Sequence, residues 1–390
     1  MLRKFTVNNF KSLINVTYEP GVVNLLVGRN NSGKTNLCQA LRFLSWTARE
    51  QESVLRAWKS GKLGQVRNVY FEHPTVDLGC DCDLIIDDET VSFHYSLSLL
   101  AVPVGPIRVE RERLQASGRA FGSTDITLLE NDGGKVRLLN EQRLLKGSSP
   151  DSCYQDTTVE RQATMLSRLH DRLANGRAIA FRDYLSSWLY YDLDVPSLRE
   201  DRFELEAYDL NSNGSNLASV LFRLKTGEDR WYRRLIQLAQ TIEPRLDALN
   251  FTTTSDRIEI ELTDPRDHRF RQASASNGTL RFLALCYIVL NNARQSNPAL
   301  TIIEEPENSL YVRHLKPLFE LIDPSGTGGQ YIFTSHSPYF IDLFENQLDN
   351  ITVMQDRGTH SALSKPDPGQ LRKYLEEMPP GELHFREMLA

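Results

Sequence analysis

One octapeptide limits what this chain can be more than any other feature. Gly28-Arg29-Asn30-Asn31-Ser32-Gly33-Lys34-Thr35 reads G-x-x-x-x-G-K-[ST]. It follows the apolar run Val22–Val27, a buried strand by its pattern, and a helix is expected from about Gly33. The chemistry needs that context. Glycines let the backbone curl until successive N–H groups and the helix N-terminus face an anion. Lys34 would then bridge the β- and γ-phosphates of a nucleotide, and the Thr35 hydroxyl would ligate Mg²⁺. The bland alternative is a glycine-rich strand-to-helix turn that binds nothing.

Three later segments supply what such a loop requires. Leu300–Glu305 is an apolar strand ending in two carboxylates. Glu304 is placed for the metal and Glu305 for the attacking water. On their own, two acids at a strand end more often mark a solvated turn. Tyr331–Ser335 is a further strand, and His336 stands at its tip, where a neighbouring strand end would reach a γ-phosphate. Ser276-Asn277-Gly278 precedes the apolar helix Phe282–Leu290. Ser276 reads equally well as an N-cap and as part of an anion site.

The rest of the chain reads as follows. Strands are expected at 2–9 and 13–18, and strands and turns from about 68 to 140. Asp87-Asp88-Glu89 and Asn131-Asp132-Gly133-Gly134 look like hairpin turns. Helices are expected through most of 159–245, including Val159–Ala174, Asn216–Lys225 and Glu228–Ile242. Strands alternate with helices from Arg257 onward, the rhythm of a parallel sheet, and a closing helix is expected over Gln370–Glu377. Of the 390 residues, 45 are Lys or Arg and 51 Asp or Glu, a net charge of −6 that argues against an extended nucleic-acid track. Arg266, Arg269 and Arg271, and Arg230, Arg233 and Arg234, could supply only local contact. The five cysteines are expected to be reduced thiols. No apolar run approaches the roughly 20 residues of a membrane span, and no targeting segment is read at the start, so a cytoplasmic protein is expected.

The order of these elements resembles the ATP-binding heads of the ABC, SMC and RecF type. It is most similar to the AAA-like ABC ATPases grouped with OLD-family heads and abortive-infection proteins. The resemblance rests on "NFKSL" at 9–13, "GRNNSGKTNL" at 28–37, "GSNLASVL" at 214–221, "SNGTLRFLAL" at 276–285, "EEPENSL" at 304–310 and "TSHSPYFID" at 334–342. It implies an α/β fold: a P-loop ABC-type head with an antiparallel β lobe and an inserted helical lobe. The expected divisions are 1–145, 146–250 and 251–390. It also implies Mg²⁺-dependent ATP hydrolysis by a homodimer, or a higher oligomer, that sandwiches ATP between heads. Ser276, Asn277 and Gly278 would contact the nucleotide held by the partner's loop. Lys11, Ser12, Asn30, Asn31, Ser32, Gly33, Lys34, Thr35 and Asn36 would seat the nucleotide, Thr35 and Glu304 the metal, and Glu305, His336 and Lys34 would carry the reaction. Glu304 stands where Asp is commoner, Tyr311-Val312 where His-Pro is commoner, and Gln115 is a weak candidate for a Q-loop glutamine.

The role implied is the ATPase component of a prokaryotic anti-phage system with a separately encoded effector nuclease. A RecF-like DNA-binding ATPase is one alternative and an OLD-like ATPase–nuclease another. The latter is disfavoured because 54 residues follow His336, little room for an appended nuclease domain beside the head's own last elements.

Overall fold

The computed structural model describes residues 1–49, 66–71, 73–101, 106–121, 125–202, 204, 208–295, 300–322, 329–367, 369, 374–375, 377–386 and 388–389. The chain forms two compact units. One comprises Met1–Gly21, Gly28–Trp188 and Val353–Ser364, the other Val22–Val27, Leu189–Thr352 and Lys365–Ala390. Strands are numbered along the chain, as are helices of more than two turns.

The first unit is built on an antiparallel sheet. It contains β1 (Leu2–Asn8) and β2 (Val16–Tyr18); β3 (Val23–Val27) belongs to the other unit. After it come β4 (Thr75–Ile86), β5 (Glu89–Leu100), β6 (Arg108–Ser117), β7 (Ile126–Asp132), β8 (Lys135–Leu139) and β9 (Tyr154–Thr158). The sheet order is β2-β1-β4-β5-β6-β7-β8-β9. β5 and β6 alternate between buried and more accessible residues, the period-2 pattern of a sheet with one face on the core. Asp87 and Asp88 both take positive φ (52° and 61°), which lets a two-residue turn join β4 to β5 with the right twist. Helices α1 (Lys34–Thr47) and α2 (Gly176–Ser186) lie in this unit.

The expected helix over 159–174 does not form. Only a 3-10 turn, Leu166–Arg168, interrupts an irregular path. The apolar residues Ala163, Leu166 and Leu169 are buried as their spacing suggests. However, the backbone N–H groups of Met165 and Leu166 donate to the carboxylate of Glu112, at 2.7 and 3.0 Å, instead of to a helix ladder. Thr164 Oγ1 donates to Thr47 O at 2.6 Å. Tertiary hydrogen bonds here override local propensity.

In the second unit, parallel strands run in the order β10 (Leu189–Tyr191), β14 (Leu300–Glu304), β15 (Gln330–Ser335), β3. β14 and β15 are buried at every residue, and β3 at all but its first, as in a parallel sheet covered on both faces. Helices α3 (Leu217–Gly227) and α4 (Asp229–Ala239) precede a small antiparallel sheet of β11 (Ala248–Thr253), β12 (Ile258–Thr263) and β13 (Arg269–Arg271). Helix α5 (Asn277–Arg294) is buried almost throughout from Thr279 to Asn292, too apolar for a surface helix. β16 (Ile351–Asp356) leads back to the first unit, where it pairs antiparallel with β17 (Ser361–Ser364). Most of the expected helix over 370–377 lies outside the described residues. The five cysteines are buried and none is in a disulfide. Among the described residues no helix is long and apolar enough to cross a membrane.

Candidate active site

The parallel register decides which chain segments leave the sheet together. Glu304 at the end of β14 pairs with Thr334, and Ser335 at the end of β15 pairs with Val27, the last residue of β3. The paired acids, His336 and the chain entering the glycine loop therefore depart from the same carboxyl edge. That edge is where ligands bind in open α/β sheets.

The loop itself is built in the first unit. Gly28 (φ 152°) and Gly33 (φ 101°) hold backbone conformations open to glycine. A Cβ on Gly28 would stand 2.3 Å from Met354 O, and one on Gly33 2.2 Å from Ser361 Oγ. Both positions require glycine twice over. Lys34 is buried, and its ammonium donates to the carbonyls of Gly28 (2.7 Å) and Arg29 (3.2 Å). Ser32 Oγ is buried with no hydrogen-bond partner among the described residues. No side chain caps α1 and no acid lies in its first turn, so its positive end is not neutralised by its own sequence. An orphaned hydroxyl, a folded-back ammonium and an uncapped helix start fit a phosphate group. Asn30, Asn31 and Thr35 are exposed there. Ser12 joins the loop: its Oγ lies 2.7 Å from Ser361 Oγ and accepts from Asn36 Nδ2 at 2.8 Å. Lys11 reaches instead to Gln39 Oε1.

Glu304 and Glu305 part company at the end of β14. Glu304 is buried and accepts the Tyr190 hydroxyl at 2.5 Å. Its carboxylate is a hard oxygen donor, the type Mg²⁺ prefers. Glu305 takes a positive φ of 47°, uncommon for a residue with a side chain, and its Oε2 lies 2.5 Å from His336 Nδ1. Its carbonyl is held by Arg281 Nη2 at 2.7 Å and by the N–H of Asn308 at 3.1 Å. Arg281, on α5, also donates to Leu193 O at 2.6 Å; burial lowers its guanidinium pKa. Glu307 is the unanticipated neighbour. It is buried, its Oε1 accepts from Ser335 Oγ, and burial raises its carboxyl pKa. The sequence reading gives it no role, although it stands two residues from Glu305.

Ser276 is the N-cap of α5: its Oγ accepts from Thr279 N at 3.0 Å. Ser276 and Asn277 are exposed, and Gly278 is half-buried. Arg199, which no local pattern marks, gathers the segment before the helix. Its guanidinium donates to Gln272 O, Ala273 O, Ala275 O and Asn277 Oδ1 at 2.7 to 2.9 Å. Gln115 stands on β6 between β5 and β7.

Residues 23–73 and 144–342, more than half of the chain, match the AAA_21 family, described as "AAA domain, putative AbiEii toxin, Type IV TA system". The chain belongs to this family. AAA_21 membership makes it a member of a P-loop ATPase family and implies nucleotide binding. The matched residues include the glycine loop, the start of α5, the paired acids and His336. Among solved structures, an SMC head bound to the C-winged helix domain of ScpA is similar with a TM-score of 0.52 at 12% identity, over 95% of this chain and 99% of that one. An SMC head domain from Thermotoga maritima gives 0.40 at 11%, over 94% and 99%. An SMC head with a coiled coil and joint from Pyrococcus yayanosii gives 0.47 at 12%, over 96% and 99%. The first likeness speaks for the fold, an ABC/SMC-type ATPase head. No curated protein matches.

Proposed function

We propose that this AAA_21 chain hydrolyses ATP with Mg²⁺ as a homodimer of heads, and that it is the cytoplasmic ATPase component of a prokaryotic anti-phage defence system acting with a separately encoded effector nuclease. The shared carboxyl edge of β14, β15 and β3 carries the reading of hydrolysis. In this reading Lys34 leaves the Gly28 and Arg29 carbonyls for the β- and γ-phosphates. Ser32, Gly33 and the start of α1 supply further donors, with Asn30, Asn31, Asn36, Lys11 and Ser12 around them. Glu305 orients the attacking water and takes its proton, and His336, against the same carboxylate, faces the γ-phosphate. Thr35 and Glu304 would hold Mg²⁺, which neutralises charge on the phosphate oxygens when bound.

The exposed start of α5 supports the dimer. There Ser276 and Asn277 are exposed and Gly278 is half-buried, a surface that a nucleotide on a second head would meet. The defence role draws on the family's description, "putative AbiEii toxin, Type IV TA system". The effector draws on the SMC head bound to a domain of ScpA. A DNA track gains less support: Arg269 lies near Glu261 and Asp267, and Arg233 pairs with Asp229.

Purified protein tests the chemistry. Lys34→Ala should abolish hydrolysis. Glu305→Gln should bind ATP yet stall, because an amide cannot take the proton of water. Hydrolysis by Glu305→Gln at the wild-type rate would remove Glu305 from the water-activating role. DNA and RNA should stay intact under ATP with Mg²⁺ or Mn²⁺ unless the effector is added.

A further inference from the structure

We propose that Glu305, Glu307 and His336 form a binding site for a transition-metal dication, with Zn²⁺ the preferred ion. The inference rests on their geometry and not on the ATPase reading. Each residue offers one ligand atom, and the three atoms lie within 4.8 Å of one another. No other trio of His, Cys, Asp or Glu among the described residues does so. Two of the ligands come from the turn after β14 and the third from the residue after β15, neighbouring strands whose parallel pairing fixes the cluster.

Proximity alone would be weak evidence, since acids often gather without an ion. Glu307 adds the second observation. It is 7% exposed, and while its Oε1 accepts from Ser335, its Oε2 is sealed from solvent with no hydrogen-bond partner among the described residues. A buried carboxylate oxygen without a donor is costly, and a cation is one remedy. Glu305 Oε2 is sealed from solvent as well, and His336 Nδ1 stands 2.5 Å from it. The surrounding bonds already orient the cluster. Ser335 Oγ accepts from the Ser337 N–H at 2.9 Å while donating to Glu307, the kind of outer contact that aims a ligating carboxylate.

The donor set selects the ion. Mg²⁺ favours oxygen ligands and keeps its waters, whereas one imidazole nitrogen with two carboxylate oxygens suits Zn²⁺ first and Mn²⁺ more weakly. Bonds of about 2.0–2.2 Å put ligand atoms roughly 3–3.5 Å apart, so Glu305 and His336 would separate slightly and Glu307 would turn inward. The His336 side chain is 51% exposed, which leaves an open side for water or an anion.

The test is a calorimetric titration of the full chain with Zn²⁺, without nucleotide and with Mg²⁺ in excess. One equivalent should bind. Glu307→Gln and His336→Ala should each weaken it by at least about tenfold, since removing even an outer partner of a metal ligand has that effect. His94→Ala, which breaks a surface pair with Asp81 far along the chain, should not change it. Glu307 is buried, so circular dichroism accompanies that variant; exposed His336 gives a second variant that spares the core. Absence of Zn²⁺ binding by the wild type, or equal affinity in His336→Ala, would overturn the site.

Discussion

Arg199→Ala should uncouple nucleotide binding from hydrolysis. Four hydrogen bonds run from this guanidinium to residues 272–277, and those to Gln272 O and Ala275 O are partly shielded from water. A charged donor in such a bond contributes about 1.5 kcal/mol at the low end, so the two make about 3 kcal/mol. The bonds to Ala273 O and Asn277 Oδ1 are exposed and would be replaced by water. Gln272 has independent anchors, its Nε2 on Leu198 O and its Oε1 on the Ile260 N–H. The loss therefore falls on 273–277, the approach to Ser276 and Gly278. With Gln272 anchored, about 1.5 kcal/mol bears on the segment and about 3 kcal/mol is the ceiling, roughly tenfold to a hundredfold in the population of the ordered segment. We expect the hydrolysis rate to fall between about tenfold and that ceiling. ATP affinity should hold, because the glycine loop loses no contact. Arg199→Lys should restore little, since an ammonium cannot span a fork of carbonyls. Nucleotide titration beside steady-state hydrolysis reads both quantities. Wild-type turnover in Arg199→Ala would refute the reasoning, and so would an equal loss of ATP binding.

Gly278→Val should also stop hydrolysis while sparing nucleotide binding, because any Cβ there meets Ser309 O at 2.7 Å. Mixed with Lys34→Ala it should recover partial activity, since one composite site of the heterodimer is then intact; no recovery in a proven heterodimer would count against action across the interface. Glu112 is buried among four donors, yet burial still raises its carboxyl pKa, so it stabilises the fold most at low pH and loses that contribution as pH rises through the raised folded value. Thermal melts should show Glu112→Gln less stable by about 1–3 kcal/mol with a flatter pH dependence; an unchanged slope would exclude Glu112 as its source.

The parts of this molecule legible in the sequence are those specified by near neighbours. A left-handed pair at Asp87-Asp88, glycines at 28 and 33, and wholly apolar runs for β3, β14 and β15 each carry their own steric or solvation signal. Residues 159–174 misled because their apolar spacing is genuine, but the N–H groups of Met165 and Leu166 are claimed by Glu112, about fifty positions earlier. Arg199 was invisible for the same reason: its acceptors lie more than seventy residues away. Glu307 was visible as an acid, but its value comes from being sealed beside Glu305 and His336, which only the pairing of β14 with β15 arranges.

The same dependence on distant partners suggests how a second head could govern the acid turn. Glu305 is held in a left-handed conformation that costs energy for any residue with a Cβ, so something must impose it. Arg281 does so from α5, one and a half turns beyond Ser276, with one arm on Glu305 O and the other on Leu193 O. Burial makes it expensive to leave that charge without acceptors, so helix and turn shift together or not at all. In the reading where Ser276 to Gly278 meet a partner's ATP, closure of the dimer would press on the first turn of α5. Arg281 would transmit that to the backbone of the residue that activates water. Hydrolysis would then depend on assembly through two hydrogen bonds within one unit, with no rearrangement of the sheet.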